Sequence, residues 1–317
     1  MRQHTTPLVS IVTPAYNAAD FVRETIESIR NQDYPAIEHI VIDGGSTDGT
    51  LDILRQYPHL TWVSEPDRGQ SHALNKGFQR ACGEIVGWLN ADDTYQPGAI
   101  KTAVAFLRAH PDVDVVYSDC QVIDENGHPL YVIQAQDFQP KAMLFRDIMP
   151  QPTLFLRRRV LRAPKVIDES LHYVMDWEFC LRIAPRFNVQ RLDDVVLANF
   201  RLCPGTKSSE GGTESAREYL SVLDDVLSTP PYRDLPSPIH RLAWRKARSR
   251  YYMTQVFSAV AKSDLGAVRR ALPKAVYHDP TWLGNRGVIS IVMEAVLGKH
   301  MAHIVRRGWR AISTSKG

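Results

Sequence analysis

Two hydrophobic rhythms alternate through the first 120 residues of this chain. Short apolar runs at Leu8–Val12, Glu38–Ile42, Leu60–Val63, Ile85–Leu89 and Val113–Tyr117 read as buried strands. Between them, apolar residues recur at helical spacing: Val22, Ile26 and Ile29, then Leu51, Leu54 and Tyr57, then Leu74, Gly77, Phe78 and Ala81, then the span Ala99–Ala109. Asp20 is a candidate cap for the first helix, and Pro97 stands near the start of the fourth. The alternation predicts an α/β fold, a mainly parallel sheet with right-handed crossovers and helices on both faces.

Beyond this region, Val122–Val132 reads as a hairpin turning at Asn126-Gly127, and Gln151–Leu156 as a strand that could line an acceptor side. The triplet Arg157-Arg158-Arg159 is either a solvated run or an attraction for an anionic acceptor. From Gly212 the pattern turns helical, with linkers at Pro230-Pro231 and Pro236-Ser237-Pro238. Val288–Val305 is apolar on average, but Glu294, Lys299, His300 and His303 interrupt it. That makes an amphipathic helix a better reading than a membrane span. A basic tail follows at Arg306, Arg307, Arg310 and Lys316, so this helix either lies on an anionic inner membrane face or packs on the catalytic domain or a dimer partner.

In open α/β sheets ligands gather outside the carboxyl ends of the strands, and here those ends are polar. Tyr16 and Asn17 follow the first strand, Asp43 the second, Asp67 and Arg68 the third, and Asp92 and Asp93 the fourth. Adjacent carboxylates raise each other's pKa unless a divalent cation or a strong donor set compensates them. The alternative is plainer, with Asp92 capping the following helix and Asp93 solvated in a loop. The segment Asp43–Thr50, DGGSTDGT, allows a sharp turn and close approach of backbone to a ligand, but it is neither a Walker loop nor a dinucleotide fingerprint.

Composition narrows the field. The 317 residues are 44% hydrophobic and 23% charged, as in an ordinary globular protein, and a net charge of +3 does not suggest a nucleic-acid binder. Cys82, Cys120, Cys180 and Cys203 lie too far apart for a zinc knuckle or redox motif. The start, Met1 to Pro7, carries no apolar signal segment, so a reducing, cytoplasmic setting is expected, with peripheral attachment to the inner membrane face as the variant.

Four segments in register, Ser10–Asn17, Asp43–Thr50, Asp67–Ser71 with Asn75 and Gly77, and Asn90–Asp93, resemble family-two inverting glycosyltransferases. The resemblance covers roughly the first two thirds of the chain. It implies a GT-A, Rossmann-like catalytic domain over residues 1–210, with a nucleotide-binding half to about 118 and an acceptor half over 119–210. A helical region would follow over 211–317. It places Thr13, Ala15 and Tyr16 beside the donor nucleotide, Asp43 on its base, Arg68 near the diphosphate and Asp92 at the ribose. Asp93 or Asp92 would hold a manganese or magnesium ion. Asn90 stands where the family often has aspartate, which leaves open which carboxylate does which job.

Asp176, in the segment Tyr173–Phe179, resembles the family's catalytic base, with Met175 replacing the usual preceding acid. Read from its residues alone, Asp176 is more readily a helix cap than a base. Glu178 would orient the acceptor or face solvent, and Trp177 would stack on a sugar or sit in the core. Phe200–Ser208 resembles a loop that closes over the diphosphate, without its histidine near Cys203, and Arg201 and Lys207 are its phosphate-contact candidates. The activity implied is sugar transfer from a nucleoside diphosphate sugar to a hydroxyl of a glycan or lipid-linked acceptor, in bacterial surface polysaccharide assembly. A catalytically idle nucleotide-sugar binder of the same fold is the alternative. A nucleotidyltransferase is the third reading, and Thr13–Asn17 lacks the basic glycine-rich loop it needs.

Overall fold

The computed structural model describes residues 6–162, 166–203, 211–285 and 287–291. The chain divides into two compact units, Met1–Glu210 with Thr229–Arg233, and Gly211–Ser228 with Asp234–Gly317.

The first unit opens with β1 (Val9–Ala15), α1 (Val22–Arg30), β2 (Ile37–Asp43), α2 (Thr50–Leu54), β3 (Thr61–Ser64), α3 (Gln70–Arg80) and β4 (Ile85–Trp88). It continues with β5 (Thr94–Tyr95), α4 (Ala99–Ala109), β6 (Val115–Ile123), β7 (Pro129–Ile133), α5 (Pro140–Met143), β8 (Phe155–Arg157), α6 (Met175–Ile183) and β9 (Val189–Arg201). The sheet runs β3-β2-β1-β4-β8-β6-β9-β5, with β7 paired to β6. Its first four strands are parallel, as the alternation predicts. Beyond β4 the sheet is mixed. β8 enters antiparallel between β4 and β6, and β9 lies parallel to β6. The run at Val113–Tyr117 therefore pairs with β8 and β9 rather than with β4.

Arg157 and Arg159 explain how β8 is seated. The Arg157 guanidinium donates to the carbonyls of Val113 at 2.7 Å and Leu107 at 2.6 Å, while Arg159 pairs with Asp114. Two members of the arginine triplet thus tie β8 to the α4–β6 connection; Arg158 and Arg159 are exposed, as the solvated reading has it, while Arg157 is half-buried.

The helices bury the faces their spacing marks. Val22, Ile26 and Ile29 of α1 are fully or almost fully buried. Asp20 is exposed and makes no cap, because Phe21 occupies the N-cap position without a side-chain bond. On the opposite face α3 lies very close to the sheet. A Cβ on Gly77 would sit 2.3 Å from Val12 Cγ1, so only glycine fits there. The hairpin forms as expected, with Gly127 at φ 83° and Asp124 accepting from the amides of Asn126 and His128.

The second unit contains α7 (Gly212–Leu227), α8 (Ser237–Ala261) and α9 (Leu265–His278). Its core joins Met253 and Val256 of α8 to Val268, Leu272 and Ala275 of α9, with Val288 against them. Asp264 caps α9 by accepting from the Ala267 amide at 2.9 Å. Most of the amphipathic stretch Val288–Val305, and Lys299, Arg306, Arg307, Arg310 and Lys316, lie outside the described residues. Among the described residues, no helix is long and apolar enough to cross a membrane.

Candidate active site

The carboxyl ends of β1, β2, β3 and β4 share one edge because these strands are parallel neighbours. Asn17 adopts φ 47°, donates its amide to Ser46 Oγ at 2.8 Å and accepts from the Thr47 amide at 2.9 Å. The amides of Ala18 and Ala19 donate to Thr50 Oγ1 and Asp48 Oδ2, both at 2.9 Å. The turn after β1 is thereby stitched to the glycine-rich segment after β2. Gly45 at φ 87° and Gly49 at φ 100° occupy the left-handed region that this segment needs.

Asp43 organises the segment from inside. Its carboxylate accepts from the amides of Gly45 at 3.0 Å and Ser46 at 2.9 Å, from Ser64 Oγ at 2.7 Å, and from Ser46 Oγ. With four donors and no exposed surface, it folds the loop instead of presenting an acceptor to a base. Thr13 differs from expectation in the same way. It is fully buried, and its Oγ1 is paired with His39 Nε2 at 3.0 Å. Burial pushes His39 down to about 3, so the ring is neutral. Ala15 is buried too, whereas Tyr16 is 67% exposed at the edge.

Arg68 is exposed and pairs with Glu169, which also accepts from Asn75 Nδ2 at 3.0 Å. The guanidinium therefore stands at the expected edge but is engaged by a carboxylate that sequence reasoning did not single out.

The two aspartates after β4 separate in role. Asp93 is fully buried: Oδ1 accepts from the Arg201 amide at 2.9 Å and Oδ2 from Asn90 Nδ2 at 3.1 Å. Burial, and then the adjacent Asp92 charge, push its pKa well above the usual carboxylate range. Asp92 is only half-buried. Burial raises its pKa too, while its own backbone amide and the Arg201 charge pull it back. Among the described residues no side chain donates to the Asp92 carboxylate, so its oxygens keep acceptor capacity there. Hard divalent cations take carboxylate and phosphate oxygens and often use only one or two protein carboxylates, a donor set that Asp92 fits. Among the described residues no group of three or more His, Cys, Asp or Glu converges as a self-sufficient metal cage.

Asn90 is the hub of this corner. Its Oδ1 accepts from Gln70 Nε2 at 2.8 Å and Trp88 Nε1 at 2.9 Å, and its Nδ2 donates to Asp93 and to Gln151 Oε1 at 3.1 Å. A carboxylate at this position could not donate to Asp93, so the amide is matched to a buried acid beside it.

Arg201 corrects a further expectation. It is 1% exposed, and its guanidinium donates to the carbonyls of Asp92 at 2.9 Å, Glu125 at 3.1 Å and Asp124 at 3.3 Å, pairs with Glu24, and lies 4.8 Å from the Phe21 ring centroid. Such an arginine does not reach a diphosphate. It supplies the positive charge that lets two aspartates sit together. Lys207 lies outside the described residues.

Asp176 opens α6, with Oδ1 accepting from the Trp177 amide at 2.8 Å. Burial raises its pKa. Trp177 is 4% exposed and donates Nε1–H to the Met143 carbonyl at 2.8 Å, so it is a core residue and offers no face to a sugar. Glu178 is bound by Arg182 at 2.8 and 3.0 Å, a pairing within one helix turn. The group that sequence reasoning missed is Asp147. It is exposed at the surface and accepts from the Met149 amide at 3.0 Å, and its pKa is raised to about 7 by desolvation and by the Asp176 charge. No motif marks it, because Asp147 reaches Asp176 only through the packing of the segment around Met143 on α6.

Residues 10–162 match the profile of the family described as Glycosyl transferase family 2. This segment belongs to glycosyl transferase family 2. An uncharacterized glycosyltransferase of Rickettsia typhi is 34% identical to the chain over 188 residues, covering 56% of this chain and 59% of that protein. The putative teichuronic acid biosynthesis glycosyltransferase TuaG of Bacillus subtilis is 38% identical over 107 residues, covering 32% of this chain and 42% of its own length. The chain thus spans about half the length of these relatives. The crystal structure of residues 1–349 of S. aureus TarS in complex with UDP-GlcNAc superposes with a TM-score of 0.63 at 19% identity, covering 94% of this chain and 87% of that one. That likeness shows the fold, a GT-A-like mixed sheet with helices and a helical C-terminal region. In these terms the family 2 segment carries β1 through β8, and Asp176 lies beyond its matched end.

Proposed function

We propose that the chain is an inverting glycosyltransferase that moves a sugar from a nucleoside diphosphate sugar to an acceptor hydroxyl in polysaccharide assembly. The observation that supports this reading best is the half-buried Asp92, whose carboxylate has spare acceptor capacity at the shared edge of four parallel strands inside a family 2 segment. TuaG's printed role in teichuronic acid biosynthesis supports the polysaccharide setting, and the TarS complex with UDP-GlcNAc supports the donor class.

The residues divide the work. Tyr16, exposed at the β1 end, offers a flat ring to the base of the nucleotide. Arg68, released from Glu169, contacts the diphosphate. Asp92 would hold a manganese or magnesium ion, which when bound would neutralise charge on the diphosphate oxygens. Asp93, Asn90 and Arg201 fix the position of Asp92. Asp176 accepts the proton of the acceptor hydroxyl as its oxygen forms a bond to the anomeric carbon and the bond from that carbon to the diphosphate oxygen breaks. A single displacement of this kind inverts the anomeric centre.

The test is a panel of nucleotide sugars assayed for nucleoside diphosphate release with and without chelator, comparing the wild type with Asp176→Asn. Metal-dependent donor binding by both proteins, with turnover by the wild type alone, is the expected result. Full turnover by the variant with its native acceptor removes Asp176 from its role. Consumption of a nucleoside triphosphate with pyrophosphate release overturns the transferase reading.

A further inference from the structure

The second unit carries a basic and aromatic recess that the transfer chemistry does not use. Arg241, Trp244, Arg245 and Arg248 follow one another at helical spacing along α8, so they form a single stripe. Together with His240 they line an open pocket of about 350 Å³. Ala243, Ala247 and Met253 of the same helix are buried in the unit's interior.

The charges of the stripe are largely unspent. Arg245 donates to the carbonyls of His278 at 3.2 Å and Tyr277 at 3.4 Å, closing the end of α9. Arg248 lies over the Trp244 ring at 4.9 Å from its centroid. Neither Arg241 nor Arg248 has a salt-bridge partner among the described residues. Of the nearby acids, Asp279 is bound by Lys246 at 2.6 Å, and Asp224 of α7 feels the Arg248 charge. Burial and the neighbouring arginines lower the pKa of His278.

Guanidinium groups pair with carboxylate or phosphate through forked hydrogen bonds, and an indole offers a flat surface to the apolar face of a sugar ring. We propose that this stripe is a binding site for an anionic glycan, a chain bearing carboxylate or phosphate groups, that engages Arg241, Trp244 and Arg248. The half-buried indole sits recessed among the arginines instead of projecting as a wedge, which suits a threaded saccharide better than a lipid surface. The proposal rests on the transferase reading only for the use of the site, which is to retain an acidic acceptor or product.

The experiment measures binding by the full chain, without turnover. A size-defined oligogalacturonate is titrated into the wild type, Arg241→Gln/Arg248→Gln and Trp244→Ala, beside a neutral malto-oligosaccharide of equal length and phosphatidylglycerol vesicles. Oligogalacturonate should bind the wild type in a salt-sensitive way and the malto-oligosaccharide should not. The arginine double variant should lose about tenfold or more in affinity, as two charge-assisted contacts would require. UDP binding by the variants should stay at the wild-type level, which reports an intact first unit, and the double variant's circular dichroism should match the wild type. Equal oligogalacturonate affinity in wild type and double variant overturns the proposal. So does vesicle binding without oligogalacturonate binding, or equal binding of the neutral chain. Failure of every nucleotide sugar to turn over would sink the transferase reading and leave this binding result standing.

Discussion

Asp92 and Asp93 are neighbours with opposite surroundings, and the difference decides what each can do. Asp93 spends its oxygens on the Arg201 amide and Asn90, whereas Asp92 keeps its own for a ligand. Asp92→Asn should therefore abolish chelator-sensitive donor binding, measured by titration calorimetry, with a melting temperature close to the wild type. Arg201→Met leaves two enclosed carboxylates without their counter-charge, and loss of one member of a buried charge cluster costs about 3–5 kcal/mol. Thermal unfolding should show that loss. Burial raises the pKa of Asp176, and burial and the Asp176 charge raise that of Asp147 to about 7. A base must be unprotonated to act, so kcat/KM should rise with pH as the pair loses its shared proton. Asp147→Asn removes the member of the pair that titrates at about 7, so the rising limb should move to lower pH. A limb that stays in place or moves up would separate Asp147 from the base.

At the scale of elements, the tightest constraint is the approach of α3 to β1. Gly77→Ala puts a methyl 2.3 Å from Val12 Cγ1, and overpacking of this kind costs about 1–3 kcal/mol. Chemical denaturation should report that loss with an unchanged slope, since the surface exposed on unfolding is the same. The parallel elements β1 to β4 were legible in the sequence because each is a continuous apolar run bounded by turn residues, and α1, α3 and α4 because their apolar faces repeat. The placement of β8 was not legible. It is three residues long, and the carbonyls of Val113 and Leu107 and the Asp114 carboxylate that hold its arginines are distant in sequence.

At the scale of the molecule, pH should act on folding through His39. Its folded pKa is depressed from 6.5 to about 3, so the unfolded chain binds a proton over that window and the folded chain does not. The stability this contributes is present above pH 6.5 and is lost as pH falls through the window towards 3. Denaturation midpoints measured from pH 7 down to pH 4 should fall, and less steeply in His39→Gln. The two units have separate interiors, one layered on the sheet and one between α8 and α9, so each is open to its own measurements.

Periodicity alone specified the alternating strands and helices, and the polar strand ends specified which edge would carry chemistry. Both are local properties of the chain. The side chains that face a ligand were decided by burial and by distant hydrogen-bond partners. Thr13 is taken up by His39, Trp177 by Met143 and Arg201 by the backbone of the Asp92 turn, all contacts between residues far apart in sequence. Asp147 became visible for the same reason in reverse. A carboxylate's pKa depends on what surrounds it in space, and no spacing in the chain brings Asp176 to its side.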